Sequence, residues 1–166
     1  MTFLCSCSHQ SIEEYSQNKP AFDVEAFFAG ELEAHGVIKN RSGKVTRYFT
    51  ANISANWVDG VGTLEEIFHF NDGELQQRTW TLTPFERGYK AAANDVIGQN
   101  IALVEGNAMQ LNYRLTITYK GKPLELSVED WMWRIDHSTV LNESTLRKWG
   151  FKVGSIQLVI RKKAVP

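Results

Sequence analysis

The sequence predicts an antiparallel, mainly β protein closed into an up-and-down barrel of about eight to ten strands, preceded by one short helix. Three observations predict it. Apolar residues recur at every second position over long stretches. Turn signals separate these stretches at hairpin spacing. No helical segment is long enough for the crossover that parallel neighbours need, so the strands should run antiparallel. At 166 residues, 43% apolar and 22% charged, the chain has the size and composition of one globular domain. Its net charge of −1 offers no basic footprint for nucleic acid. No apolar run approaches the roughly 20 residues of a membrane-spanning helix.

The first element is a tether. Leu4-Cys5-Ser6-Cys7 has the pattern of a bacterial lipobox, whose last cysteine receives a lipid. Cys7 is the lipidation candidate, because Leu4 is too bulky for the small-residue position before Cys5. The basic and apolar regions of a secretory signal are missing before it. The lipobox reading therefore requires a start upstream of Met1, and the alternative is two incidental thiols. Residues 1–7 are thus assigned to a truncated signal and lipobox, residues 8–21 to a polar linker without a clear period, and residues 22–163 to a single barrel domain. Both cysteines lie in the first segment, so the domain itself holds no thiol.

Residues 23–29 predict a helix. Asp23 suits the N-cap, Gly30 suits the stop, and Val24, Phe27 and Phe28 fall on one face. Beyond Gly30 the period becomes two. Phe49, Ala51, Ile53, Ala55 and Trp57 alternate with Tyr48, Thr50, Asn52, Ser54 and Asn56. Met109, Leu111, Tyr113, Leu115 and Ile117 alternate with polar neighbours in the same way. Asn40-Arg41-Ser42-Gly43, Asp59-Gly60, Asn71-Asp72-Gly73, Gly106-Asn107 and Lys120-Gly121 mark turns. Long strands with a single dry face suit a lipocalin- or calycin-like barrel, with a two-sheet sandwich as the alternative. The closing Arg161-Lys162-Lys163 reads as a solvated tail.

Asn71-Asp72-Gly73 suits a three-residue hairpin loop with Gly73 in the left-handed position. That register sets Leu64 opposite Trp80, Phe68 opposite Gln76, and Glu66 opposite Arg78. The apolar parity then carries Glu66 and Arg78 inward, where a carboxylate needs a partner and the arginine supplies one. Residues 124–136 are ambiguous. Leu124, Leu126 and Val128 favour one parity, and Trp131 and Trp133 the other. Either a bulge near Glu129-Asp130 switches the phase, or the phase holds and Asp130, Met132 and Arg134 face inward.

Motifs for catalysis and metal binding are missing. The four histidines lie far apart, and Glu129 and Asp130, as strand neighbours, point to opposite faces. No metal, cofactor or catalytic residue is expected. The candidate polar core is Glu66, Arg78, Asp130 and Arg134, with Trp80, Trp131 and Tyr113 beside it. It has two readings: a buried network that fixes strand register, or an anchor for the polar end of a ligand.

Several segments together resemble one family. They are Phe22-Asp23-Val24 with Phe27-Phe28-Ala29-Gly30, Arg41-Ser42-Gly43-Lys44-Val45, Leu64-Glu65-Glu66-Ile67-Phe68 with Asp72-Gly73, and Arg78-Thr79-Trp80. Asp95-Val96-Ile97-Gly98 with Gly106-Asn107-Ala108, Glu129-Asp130-Trp131-Met132 with Ile135-Asp136, and Leu141-Asn142 with Lys148-Trp149-Gly150 complete the set. Residues 22–162 resemble a proteobacterial lipoprotein family known as domain of unknown function 3833. The resemblance implies Cys7 as lipid acceptor, a membrane anchor at the N-terminus, and a domain in the periplasm at the outer membrane, with which Ser8 is compatible. It implies no catalytic residue. The function expected first is an envelope lipoprotein whose barrel binds a lipid or fatty-acyl chain. The alternatives are a structural or interaction protein with a filled core, and a small enzyme on the same barrel.

Overall fold

The computed structural model describes residues 10–164. Cys7 and the lipobox-like segment expected around it lie outside the described residues. After a 3-10 helix, Ile12–Tyr15, and helix α1, Val24–Phe28, ten strands follow. They are β1 (Gly30–Asn40), β2 (Val45–Val58), β3 (Val61–Phe70), β4 (Leu75–Phe85) and β5 (Gly88–Ala93). The second half comprises β6 (Asn100–Glu105), β7 (Ala108–Tyr119), β8 (Lys122–Arg134), β9 (Thr139–Lys148) and β10 (Phe151–Lys162). Each strand pairs antiparallel with its neighbours in sequence, and β1 pairs with β10, which closes the barrel.

The local signals work as their chemistry requires. Asp23 Oδ1 accepts from the Ala26 N–H at 2.9 Å, and the helix ends before Gly30, whose φ is +91°. The β3–β4 hairpin closes with the three-residue loop: the Phe70 N–H donates to the Glu74 carbonyl at 3.0 Å, and Gly73 takes φ +87°. Glu66 stands opposite Arg78 and Leu64 opposite Trp80. On β8 the phase holds. Its pairing with β7 and with β9 runs without a register shift, so Asp130 and Met132 face inward while Trp131 and Trp133 face outward.

The two ends of the barrel differ. At one end, α1 lies across the opening. Phe22, Phe27 and Phe28 pack together there at ring separations of 5.1–6.1 Å and join the main core. Small inward residues (Ala34, Ala51, Ala55, Ala91, Ala102) leave the room that these rings fill. Lys162 ties the helix down. Its Nζ donates to the carbonyls of Ala26, Phe27 and Ala29 at 2.8, 2.7 and 3.3 Å. The expected solvated tail is therefore the end of β10 and a cap for α1, because a lysine satisfies carbonyls at a helix C-terminus.

Residues 10–21, the described part of the segment expected as linker, instead strap the outer wall. Ile12 is buried against Ala108 and Trp131, and Tyr15 packs on Trp131 and Trp133 at 5.7 and 6.3 Å. The Phe22 N–H donates to the Gly106 carbonyl at 2.7 Å. The outward tryptophans explain the difference: they form an apolar patch that a free linker would leave wet. Ile12→Ala should lower the unfolding free energy by about 2 kcal/mol. Urea denaturation checks this, and an unchanged midpoint would mean that the strap is not docked.

Candidate functional site

Among the described residues, no helix covers the end of the barrel away from α1. There the inward side chains Phe68, Phe70, Ile117, Leu124, Leu146 and Leu158 are only half-buried. At the α1 end Leu32, Ala55, Leu82 and Ala102 are buried, while Trp57, Tyr89, Val104 and Met132 are partly buried beneath the helix. In a closed barrel an inward residue reaches water only through a mouth, so these side chains line a cup. Arg47 stands at its lip, with its guanidinium 3.8 Å from the Phe70 ring and ion pairs to Asp72 and Glu74 at 2.8 and 2.9 Å.

Below the apolar wall lies a polar floor. Arg78 comes from β4, Glu66 from β3, Tyr113 from β7 and Asp130 from β8. The Arg78 guanidinium sits near Phe68 and Trp80, 5.8 and 5.9 Å from their centroids. Trp80 in turn meets the Tyr113 ring edge-on at 5.5 Å. Asp130 is buried and accepts from Asn142 Nδ2 at 2.7 Å and Ser144 Oγ at 2.6 Å.

The direct partner of Arg78 is Asp95, not the facing Glu66. Nε donates to the two Asp95 oxygens at 2.9 and 3.0 Å, and Nη2 donates to Oδ2 at 2.8 Å. Asp95 arrives on the loop between β5 and β6. That loop folds back onto β7: the Thr116 N–H donates to the Asp95 carbonyl at 3.0 Å, and the Ile97 N–H to the Arg114 carbonyl at 2.9 Å. Asp95 has no periodic signal because it lies outside any strand. Asn142 and Ser144 could have been found, since they share the inward parity of Val140 and Leu146.

Two of the expected core residues belong elsewhere. Trp131 is on the outer wall under the strap, and its indole N–H donates to Glu129 at 3.1 Å. Arg134 has the inward parity but sits at the α1 end, where Nη1 donates to the Ala21 carbonyl at 2.9 Å and Nε to the Asp136 carbonyl at 3.2 Å. It holds the strap rather than the floor. Glu66, Arg78, Trp80, Tyr113 and Asp130 do converge.

The floor is rich in acids. Burial pushes the Glu66 carboxyl up to about 7; the Arg78 charge opposes this, and the nearby Asp130 and Asp95 add to it. Burial also pushes Asp130 up to about 6, against the hydrogen bonds from Ser144 and Asn142. Tyr113 is pushed up by burial and then by Asp130, so it stays a neutral phenol. Burial works most strongly against the Arg78 charge; the hydrogen bonds to Asp95 and the electrostatic pull of the neighbouring acidic groups together outweigh it and hold the guanidinium protonated. One concavity, of about 730 Å³, is lined by the outward Tyr48, Trp133, Leu141 and Val159 together with Phe49, Phe70, Asn142 and Leu158. It contains none of these ionisable groups.

A family model described as "Protein of unknown function (DUF3833)" matches residues 1–162. The chain belongs to the DUF3833 family. Among solved structures, the DUF3833 barrel is similar to the S-type phycobiliprotein lyase CPES from Guillardia theta. That match has a TM-score of 0.53 at 13% identity and covers 94% of this chain and 100% of the lyase. At that identity the likeness shows a shared calycin-like barrel. The dehydratase domain of RzxB from Pseudomonas fluorescens matches at a TM-score of 0.23 and 10% identity, over 81% of this chain and 77% of the other. That is too low to carry an argument. No curated protein matches the DUF3833 sequence.

The floor makes two predictions. Arg78→Ala strands Asp95 and Glu66. A fully buried pair loses 3–5 kcal/mol when one partner goes, and the side chains here keep 18% and 28% exposure, so a loss of about 2–3 kcal/mol is expected in chemical denaturation. A parental midpoint would remove Arg78 from the network. The second concerns pH. Both carboxyls are raised, so between about pH 4 and pH 7 the folded protein keeps protons that the unfolded chain releases. Their contribution is therefore full below pH 4 and declines as pH rises through 7, by a few kcal/mol in total. Unfolding at pH 5 and pH 8 should show this slope, and Glu66→Gln with Asp130→Asn should flatten it. A slope unchanged in the double variant would assign it to other groups.

Proposed function

We propose that the barrel binds an amphiphile in the cup, with its apolar body against Phe68, Phe70, Ile117, Leu124, Leu146 and Leu158. The observation that carries this reading is the set of inward apolar side chains left half-buried above a hydrogen-bonding floor. Such concave sites combine an apolar wall with a few placed polar groups. The floor charges indicate which end of the ligand goes in. Arg78 is already neutralised by Asp95, and Glu66 and Asp130 add acid beyond that pair. A carboxylate or phosphate would be repelled there; a hydroxyl, amide or amine would be accepted. An acyl lipid fits this site with its chain or a neutral group inward and its anionic group at the mouth.

The setting we propose is the cell envelope, with the barrel held at the outer membrane through a lipid on Cys7 and facing the periplasm. The lipobox-like Leu4-Cys5-Ser6-Cys7 and the resemblance to a lipoprotein family support it. A second reading, a structural protein of the envelope, is favoured by the α1 end of the barrel, where phenylalanines fill the interior.

Native mass spectrometry of protein prepared from membranes should show a co-purified lipid. Titration with a fluorescent fatty-acyl probe should saturate, and Phe68→Ser should weaken it roughly tenfold through the lost apolar contact. Absence of saturable uptake, or an affinity indifferent to Phe68, would favour the structural reading.

A further inference from the structure

The tips of two hairpins beside the mouth carry a surface that neither the fold nor the floor explains. The β7–β8 tip presents Tyr119, Lys120 and Lys122. The β9–β10 tip presents Lys148, Trp149, Phe151 and Lys152. Trp149 is 85% exposed, Phe151 70% and Tyr119 56%. No ion pair among the described residues involves any of these four lysines. The carboxylates nearest in the same strands are taken, Glu125 by Arg114 at 3.0 Å and Glu129 by Arg147 at 2.9 Å. Lysine Nζ atoms lie 5.4 Å from the Tyr119 centroid and 5.0 Å from that of Trp149.

The backbone makes the aromatic more telling. Trp149 and Gly150 form a two-residue turn with φ of +50° and +83°. The first position of such a turn suits Asn, Asp or Gly. A tryptophan there sits in a region that bulky L-residues avoid, and at 85% exposure it gains no packing in return. A side chain that strains its turn and buries nothing points to a role outside the fold.

We infer that these two tips dock the mouth of the barrel onto an anionic lipid bilayer. Tryptophan and tyrosine favour the water–bilayer boundary, and lysines beside them are drawn to anionic headgroups. The uncompensated positive charge selects an anionic surface over a neutral one, and the aromatic tips supply the insertion. The surface adjoins the cup, so a chain leaving the bilayer would enter the barrel without crossing water. This inference deepens the ligand reading but is measured apart from it. The strap places residues 10–22 at the α1 end, opposite the tips. Unlipidated chain therefore reads the tips alone.

The test is co-sedimentation of the unlipidated full chain with vesicles. One set contains phosphatidylglycerol and phosphatidylcholine at roughly one to two, the other phosphatidylcholine alone. Binding is expected to the anionic set and to weaken with salt. Each lysine-to-glutamine change at Lys120, Lys122 or Lys152 should weaken it about fivefold. Trp149→Asn is the sharper variant. Asparagine relieves the turn, so the melting temperature should stay level or rise while vesicle binding drops at least tenfold. Binding to neither vesicle, equal binding to both, or full binding by Trp149→Asn would overturn the inference. Self-association of the chain that Trp149→Asn abolishes, without vesicle binding, would assign the tips to a second copy instead. Probe uptake into the cup without vesicle binding would sink this inference alone, and vesicle binding without uptake would sink only the ligand reading.

Discussion

The pairing of β1 with β10 is the constraint on which the rest depends. It joins nine successive positions, from Leu32 with Lys162 to Asn40 with Gly154. Without it the sheet would expose two long edges, each a template for association. With it every strand gains one inside and one outside, and the parity of each residue acquires meaning. The seam is possible because glycine stands where the walls come closest. A Cβ on Gly36 would lie 2.5 Å from the Phe49 ring and 2.7 Å from the Leu158 Cβ, and one on Gly154 would lie 2.6 Å from the Lys39 carbonyl oxygen. At both points side-chain volume is given up for closure.

Closure turns polar residues of the inward parity into an electrostatic problem. A buried carboxylate must be paired, hydrogen-bonded or protonated. The barrel uses all three solutions within one layer. Asp95 is paired with Arg78, Asp130 is hydrogen-bonded by Asn142 and Ser144, and Glu66 keeps a raised pKa. The solutions are coupled, because Arg78 acts on Glu66 and Asp130 as well as on Asp95. Five strands and one loop contribute to this layer, so their registers are fixed against one another there.

The strand parities were legible in the sequence because burial on one face imposes a period of two. Residue types at turns and caps were legible because their backbone geometry is local; the Asn71-Asp72-Gly73 loop alone was enough to place Glu66 against Arg78. Three features were not legible, for related reasons. Asp95 reaches Arg78 from a loop, where no period applies. Trp131 breaks the expectation that large aromatics face inward, because the 3-10 helix makes a second, outer core for it. The strap itself is mostly polar, and its docking rests on Ile12 and Tyr15, too few residues to make a pattern. In each case the missing information is a contact between segments far apart in the chain.

The difference between the two ends follows from where bulk was placed. Around α1 several wall positions are alanines, and the phenylalanines that pack over them come from outside the sheet. At the far end the bulk is in the wall itself, in Phe49, Phe68 and Phe70, and among the described residues no helix lies across it. Leaving inward Phe, Ile and Leu side chains half-wet forgoes roughly 25 cal/mol for each Å² of apolar surface that a plug would bury. A second helix like α1 would recover that stability, at the expense of the opening. Among the described residues, one end of the apolar interior carries a helix across it and the other does not.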